Sequence, residues 1–160
     1  MKIKSKHEFN CCDPDQVWEK LTDIDLLSSI ISDRKGLNKV GKNKYRGKLP
    51  VKRNPINGKL DTTFTLKDIK EPKRFSLNVR GKKDKIRVSN RGTFSLGKYE
   101  GTTTVNYKGS LKIYFKGPLG AHIDVSAVAG KKAKRSLEKA LASLFRKIDR
   151  QCCKENNDAH

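Results

Sequence analysis

The chain has 160 residues, enough for one domain with a substantial core. Its hydrophobic fraction is 34%, and its net charge is +20, from 37 basic and 17 acidic residues. The apolar residues alternate in rows, which argues against a disordered chain, and no apolar run approaches the ~20 residues of a transmembrane helix. The basic N-terminal residues precede no apolar signal core, so we expect an intracellular, cytoplasmic protein.

The N-terminal part predicts one strand and two short helices. Alternate residues of Lys2–Phe9 share one side, as in a strand with one buried face. Asp13 is a suitable N-cap, Pro14 suits the first helical position, and Gln16 completes a capping box. A second short helix over about Asp23–Ile31 is apolar on most of its circumference, so we expect it to close one end of the core.

The rest of the chain predicts an antiparallel meander followed by one long helix. Alternating segments are separated by short turns rich in glycine, asparagine and proline, and the last of them is Thr103–Phe115. From about Ile123 the apolar residues recur at three- and four-residue steps as far as Ile148, which is typical of an amphipathic helix. We predict the element order β-α-α-β-β-β-β-β-β-α in one domain over residues 1–153, with a fraying polar tail at 154–160.

Short motifs at matching positions support a more specific interpretation. They are Asp13-Pro14 with Val17-Trp18 and Leu21, Tyr45-Arg46-Gly47, Val51-Lys52-Arg53 with Pro55 and Gly58, Gly92-Thr93-Phe94, and Gly117-Pro118-Leu119. In this order the chain resembles the G-subunit family of carbon monoxide dehydrogenase, within the START-like (SRPBCC) superfamily. The resemblance implies an α+β helix-grip fold, in which a seven-stranded antiparallel sheet curves around the C-terminal helix and encloses an apolar cavity. It also implies a noncatalytic accessory of a carbon monoxide dehydrogenase-type molybdenum hydroxylase, acting in maturation, membrane recruitment or quinone handling.

An apolar cavity with a few convergent polar groups is a common small-molecule site, here for a lipid or a quinone. The predicted lining residues face inward by strand or helix parity: His7, Phe9, Tyr45, Leu49, Val51, Phe64, Leu77, Val88, Phe94, Tyr107, Leu137 and Leu141. Ser5, Arg53, Thr62 and Asn90 share the inward parity, with Arg53 expected at the cavity rim. His7 is the sharpest candidate for orienting a ligand, although a hydrogen-bonded core histidine is the more ordinary interpretation.

The sequence shows no catalytic constellation. The carboxylates lie in turns or on outward positions, no Gly-rich phosphate loop joins a strand to a helix, and the three histidines lack ligand spacing. We therefore predict a non-enzyme without cofactor or metal. A cyclase- or hydrolase-like activity, as found in the wider superfamily, is the third hypothesis and requires His7 or Tyr107 in an enclosed cavity.

The basic excess permits a second function class. Outward-facing lysines and arginines can simply keep the sheet soluble, or they can bind phosphates of nucleic acid or of an anionic membrane. The start of the last helix is a candidate contact for such a surface, through Lys131, Lys132, Lys134 and Arg135. Nucleic acid is the less favoured partner, because outward aromatic residues are few. The sequence carries no hydrophobic C-terminal extension, so we expect peripheral contact at the inner membrane face rather than insertion.

The cysteines form two adjacent pairs, Cys11-Cys12 and Cys152-Cys153. In a helix-grip fold the last helix returns toward the first helices, so the two pairs can approach each other. Three states then compete. Reduced structural thiols are the leading interpretation, ahead of disulfides between the pairs and of a four-thiolate metal site.

Overall fold

The computed structural model describes residues 1–53 and 56–158, and in it an antiparallel sheet curves around one long helix. The elements are β1 (Lys2–Phe9), α1 (Pro14–Leu21), α2 (Ile24–Leu27), β2 (Asn38–Gly41), β3 (Lys44–Arg53), β4 (Ile56–Lys70), β5 (Arg74–Lys83), β6 (Ile86–Tyr99), β7 (Thr102–Lys116), β8 (His122–Asp124) and α3 (Ser126–Asp158). Pro55 of the matching motifs and residues 159–160 of the predicted tail lie outside the described residues, as does the side chain of Arg53.

The start of the fold is confirmed at the level of single hydrogen bonds. β1 has the predicted bounds, and α1 begins directly after Asp13. The Gln16 amide donates to Asp13 Oδ1 at 2.8 Å, and the Asp13 amide donates to Gln16 Oε1 at 3.0 Å, so the capping box is complete. The predicted second helix is shorter than expected, because α2 ends at Leu27 and continues as a 3₁₀ turn over Ser28–Ile30.

The sheet is the predicted meander, closed at one edge by the first strand. Its order is β1-β7-β6-β5-β4-β3-β2, and all of the neighbouring pairs are antiparallel. β8 adds a short eighth strand beside the end of β7. With α3 packed across the sheet, the α+β helix-grip fold is confirmed. No helix in the described part of the chain is long and apolar enough to span a bilayer.

The last helix begins later and ends later than predicted. Ile123 lies in β8, paired with Phe115, so its apolar side chain belongs to a strand and not to the helix. The Ser126 amide donates a hydrogen bond to Asp124 Oδ1 at 2.9 Å. Hydrogen bonding by the Ser126 side chain, and secondly by this amide, lowers the pKa of the Asp124 carboxyl below its usual range. At its other end α3 continues through residues 154–158, where the sequence analysis predicts a polar tail. Within this last turn Glu155 Oε1 forms an ion pair with Lys20 Nζ of α1 at 2.6 Å.

Two disulfides join the end of α3 to the end of β1. Cys11 pairs with Cys153 and Cys12 with Cys152, with Cα atoms 4.9 and 5.3 Å apart. The prediction of reduced thiols is therefore wrong for this structure, because the two chain segments meet closely enough for both bonds. Disulfides of this kind persist in oxidising compartments or in intracellular proteins of hyperthermophiles.

Asp149 supports the same junction from inside α3. It is buried, and its carboxylate accepts the backbone N–H groups of Asn10 and Cys11, each at 3.1 Å. Its oxygens also lie within 4.8 Å of the sulfurs of Cys11 and Cys153, but sulfurs in a disulfide are not the thiolates that bind metals. The Asp149 carboxylate thus satisfies the backbone N–H groups that follow β1, at the point where the disulfides join this segment to α3.

Removing both cross-links is expected to destabilise the protein far more than removing either one. The first disulfide closes a loop of about 140 residues, which the chain-entropy treatment values at about 5 kcal/mol, and the adjacent second one closes almost no new loop. We expect the pair variant Cys11→Ser/Cys153→Ser, and equally Cys12→Ala/Cys152→Ala, to keep most of the stability that the quadruple variant loses. Urea unfolding measures the differences.

Thiol titration of the wild-type protein in denaturant without reductant is the control, and it should find no free thiol. Four titrating thiols would contradict the pairing. Additive losses from the two pair variants would contradict the claim that either disulfide alone supplies most of the stabilisation.

Candidate binding pocket between the sheet and the last helix

Aromatic side chains fill the middle of the space between the sheet and α3. Phe94 lies at the centre, with ring centroids 5.0 Å from Phe75, 4.7 Å from Tyr107 and 6.3 Å from Phe145 of α3. Trp18 of α1 contacts Phe75 edge-on at 5.4 Å. All five side chains are buried, so this half of the expected cavity is a packed core.

Tyr107 occupies room left by two glycines. Gly92 and Gly109 face each other across β6 and β7, and a Cβ atom on either would lie within 2.5 Å of the Tyr107 side chain. The phenol donates a hydrogen bond of 2.8 Å to Asn90 Oδ1, which is also buried. Burial raises the pKa of Tyr107 to about 12, with the bond to Asn90 acting in the opposite direction. The hydroxyl therefore stays protonated at neutral pH and acts as a hydrogen-bond donor.

A small apolar pocket remains under the first half of α3. Its volume is about 100 Å³. The walls come from the 3₁₀ turn after α2, from the five strands β3 to β7 and from α3, and the apolar lining includes Ile31, Val51, Leu60, Val88, Ile113 and Leu137. The polar members of the wall are Asn90 and Ser136. No titratable side chain lines the pocket among the described residues, so its chemistry is that of an apolar binding site.

The sequence from residue 11 to residue 153 matches the model of the carbon monoxide dehydrogenase G-subunit (CoxG) family. The chain belongs to the CoxG family. The match covers most of the chain and confirms the resemblance that the short motifs predicted. A comparison with proteins of curated function found no match.

Solved structures show the same fold at low sequence identity. A conserved protein from Geobacillus kaustophilus is 24% identical, with a TM-score of 0.78 and 96% of each chain covered. A protein from Rhizobium leguminosarum is 12% identical, with a TM-score of 0.66 and coverage of 94% of this chain and 95% of that one. The protein DR_A0006 from Deinococcus radiodurans is 12% identical, with a TM-score of 0.59 and coverage of 94% and 96%. These likenesses support the fold alone.

Ten of the twelve predicted cavity-lining residues of this CoxG chain divide into two groups. Val51, Val88 and Leu137 line the pocket. The other apolar members, and Tyr107, are buried in the core instead: Phe9, Leu49, Phe64, Leu77, Phe94, Tyr107 and Leu141. Strand parity identified the inward side chains, but it could not show which of them touch one another and which border an empty space.

His7 lies away from the pocket, at the disulfide end of the molecule. Its Nε2 is 3.4 Å from Asp149 Oδ2, and its ring contacts Phe9 edge-on at 4.8 Å. This matches the more ordinary interpretation of a hydrogen-bonded histidine at the edge of the core, except that its partner is on α3 and not on a neighbouring strand. Tyr45 is half-buried on β3 and does not line the pocket.

The predicted basic cluster lies in the second and third turns of α3. Lys131, Lys132 and Arg135 are exposed, and Lys134 is half-buried. These basic residues lie close to the pocket, because Ala133 among them and Ser136 directly after them contribute to its wall.

Sequence reasoning missed the α2 side of the pocket and the role of Asp149. Ile30 and Ile31 line the pocket, although they were expected only to close the core. Asp149 follows Ile148 on an apolar helix face, and an acidic residue at such a position is the signal that could have indicated a buried acceptor.

Tyr107→Phe is expected to change how stability depends on pH. In the wild type the free energy of unfolding should fall from about pH 10 to about pH 12, because the unfolded chain loses the tyrosine proton first. The fall attributable to this group is up to about 3 kcal/mol. The variant should be less stable at neutral pH by about 1–3 kcal/mol, since Asn90 Oδ1 loses its donor.

Urea unfolding at a series of alkaline pH values measures both effects, and Tyr99→Phe, at the exposed end of β6, is the matched control. The steeper alkaline decline should be absent in Tyr107→Phe alone. Parallel pH profiles for all three proteins would contradict the burial of an un-ionised phenol.

Proposed function

We propose that this CoxG-family chain is a noncatalytic binding protein that takes the apolar part of a lipid or quinone into the pocket under α3. The observation that supports this most directly is the position of the pocket. Val88 and Ile113, which line it, lie only two residues from the Ile86–Phe115 pair at the end of the sheet where apolar side chains are exposed. A lipophilic group would therefore have a short path between the pocket and an apolar surface.

The size of the pocket limits what it holds. Small-molecule sites usually measure ~300–1,000 Å³, whereas this pocket has about 100 Å³. A whole lipid or quinone does not fit such a space, but a methyl-bearing ring edge or a short length of chain does. The remainder of the ligand would lie along the mouth between α3 and the end of α2.

The exposed apolar end of the molecule, here named the β7–β8 tip, comprises Phe115, Leu119 and Ile123. Their side chains are 40%, 107% and 49% exposed, and Leu119 stands at the turn between the two strands. Lys116 is exposed beside them, and Lys85 lies alongside, because its carbonyl accepts the Lys116 amide. Apolar side chains surrounded by lysines are typical of a surface that contacts anionic lipid headgroups.

The basic cluster at the start of α3 extends this surface. The Val125 amide donates to the Ile113 carbonyl at 3.0 Å, which holds the first turn of α3 beside the end of β7. Lys131 and Lys132 follow within two turns and are exposed. We infer that the tip and the cluster together contact an anionic membrane while the pocket exchanges its ligand.

Membership of the CoxG family supports the proposed partner, a carbon monoxide dehydrogenase-type molybdenum hydroxylase. The noncatalytic role agrees with a pocket wall in which the described residues include no acid, base or nucleophile other than the Ser136 hydroxyl.

Filling the pocket should weaken ligand binding without unfolding the protein. Ala133→Phe places a ring where the pocket now lies, and we expect the affinity for menadione to fall by more than about ten-fold, since the lost apolar contact exceeds about 1.4 kcal/mol. Isothermal titration calorimetry measures the affinity. Ala142→Phe, at another half-buried alanine of α3 that does not line the pocket, is the matched control. Failure of the wild type to bind, or equal binding by both variants, would refute the pocket.

Charged residues at the tip should weaken membrane binding. For Leu119→Asp/Ile123→Asp we expect at least about a ten-fold loss of affinity for vesicles of phosphatidylcholine and phosphatidylglycerol, because two apolar anchors are removed. Vesicle co-sedimentation measures it, with phosphatidylcholine alone as a second lipid. Tyr99→Asp, which alters an exposed aromatic residue at the opposite end of the sheet, is the control. The membrane contact is excluded if the tip variant and the control bind equally.

A further inference from the structure

We propose that the outer face of the sheet binds a single-stranded nucleic acid by its phosphate backbone. This face points away from α3 and from the pocket, so the inference is independent of the proposed function. Two adjoining depressions of about 760 and 680 Å³ lie on it. They share Arg91 and Ser110, and together they form one groove, here named the outer groove, across the neighbouring strands β1, β7, β6, β5, β4 and β3.

The strand register places basic and small polar side chains in transverse rows. Lys112, Ser89, Arg80, Thr63 and Arg46 lie opposite one another in turn across five strands. The next row contains Lys2, Ser110, Arg91, Asn78 and Thr65. At about 4.8 Å between strands, each row extends for about 19 Å, which is long enough for several consecutive phosphates.

The basic side chains of the groove are largely free to meet a polyanion. The larger depression is lined by Arg46, Arg80, Lys82, Arg87, Arg91 and Lys112. Arg46 pairs with Asp61 at 3.1 Å, and this arginine holds the pKa of the Asp61 carboxyl below its usual range. Arg80, Lys82, Arg91 and Lys112 form no ion pair within the described ranges. Asp61 and Asp68 are the acidic residues that line the two depressions, so positive charge is in excess on this face. Such an excess is the electrostatic footprint of a nucleic-acid site.

The floor of the groove supplies neutral hydrogen-bonding groups. Ser76 and Thr93 share a hydrogen bond of 3.0 Å, and Ser89 and Ser110 are equally short side chains on neighbouring strands. Asn78 Oδ1 is buried and has no hydrogen-bond partner among the described residues. This acceptor suits a ligand that carries N–H or O–H donors as well as phosphates, as a nucleotide does with its base and sugar.

The shape of this face favours a strand over a bilayer. A flat membrane would meet the long exposed side chains, such as Arg80 and Lys112, but could not reach the short, half-buried ones such as Ser76 and Ser89. A single nucleic-acid strand can enter the groove and reach both. At the β7 end of the groove the Tyr114 ring lies 6.0 Å from the His122 ring, and both line the depression. They offer a small stacking surface for a base, as single-strand-binding grooves do.

The test compares two variants with the same change in charge. Arg80→Gln/Arg91→Gln/Lys112→Gln removes three positive charges from the groove, and Lys98→Gln/Arg150→Gln/Lys154→Gln removes three from exposed residues outside it. Fluorescence anisotropy with labelled poly(U) is measured over a series of salt concentrations, together with a DNA duplex and phosphatidylglycerol vesicles. Thermal melting confirms that both variants remain folded.

We expect the groove variant to bind poly(U) at least about ten-fold more weakly. The slope of the logarithm of its binding constant against the logarithm of salt concentration should become less steep by about two, because three phosphate contacts are lost. The control variant should keep the wild-type salt dependence. Equal losses in the two variants would overturn the proposal, since binding would then follow net charge alone. Tighter binding of the duplex, or a loss confined to vesicles, would also overturn it by assigning the face to another partner.

Discussion

The burial of one face of α3 against the concave side of the sheet is the contact on which the rest of the structure depends. Leu141, Phe145 and Ile148 are fully buried there, and each contributes about 1.5–3 kcal/mol through burial alone. Phe145 inserts among the aromatic rings of the sheet, and Tyr107 reaches the same cluster because Gly92 and Gly109 leave room for it. This packing determines which part of the space between the sheet and α3 is filled by side chains and which part remains as the pocket.

The helix therefore has two functional halves. Its C-terminal half is packed against aromatic rings and joined to β1 by the two disulfides and by Asp149. Its N-terminal half covers the small apolar pocket and carries the exposed Lys131 and Lys132. The outer face of the sheet takes no part in this packing, so its side chains are free of core constraints, and there the basic residues collect around the groove. One fold thus offers an apolar site inside and a cationic surface outside.

The parts of the fold that depend on local chemistry could be predicted from the sequence. Asp13, Pro14 and Gln16 define the start of α1 because a capping box is a local arrangement. Period-two alternation identified the long strands, since side chains of a strand face opposite sides in turn. The features that depend on long-range contacts could not be predicted. Ile123 pairs in β8 instead of starting the helix, and the cysteine pairs are bonded rather than reduced. The division of the inward residues between packed core and pocket requires the relative positions of all the elements.

The most direct test of the account is a methyl-labelled NMR titration of the wild-type protein with menadione. The account predicts chemical-shift changes confined to the methyl groups that border the pocket, among them those of Ile31, Val51, Val88 and Leu137. The methyl groups of Leu21 and Leu141, buried in the packed core, should not respond. Changes distributed over the core or the outer face, or no saturable change at all, would contradict a ligand site under the first half of α3.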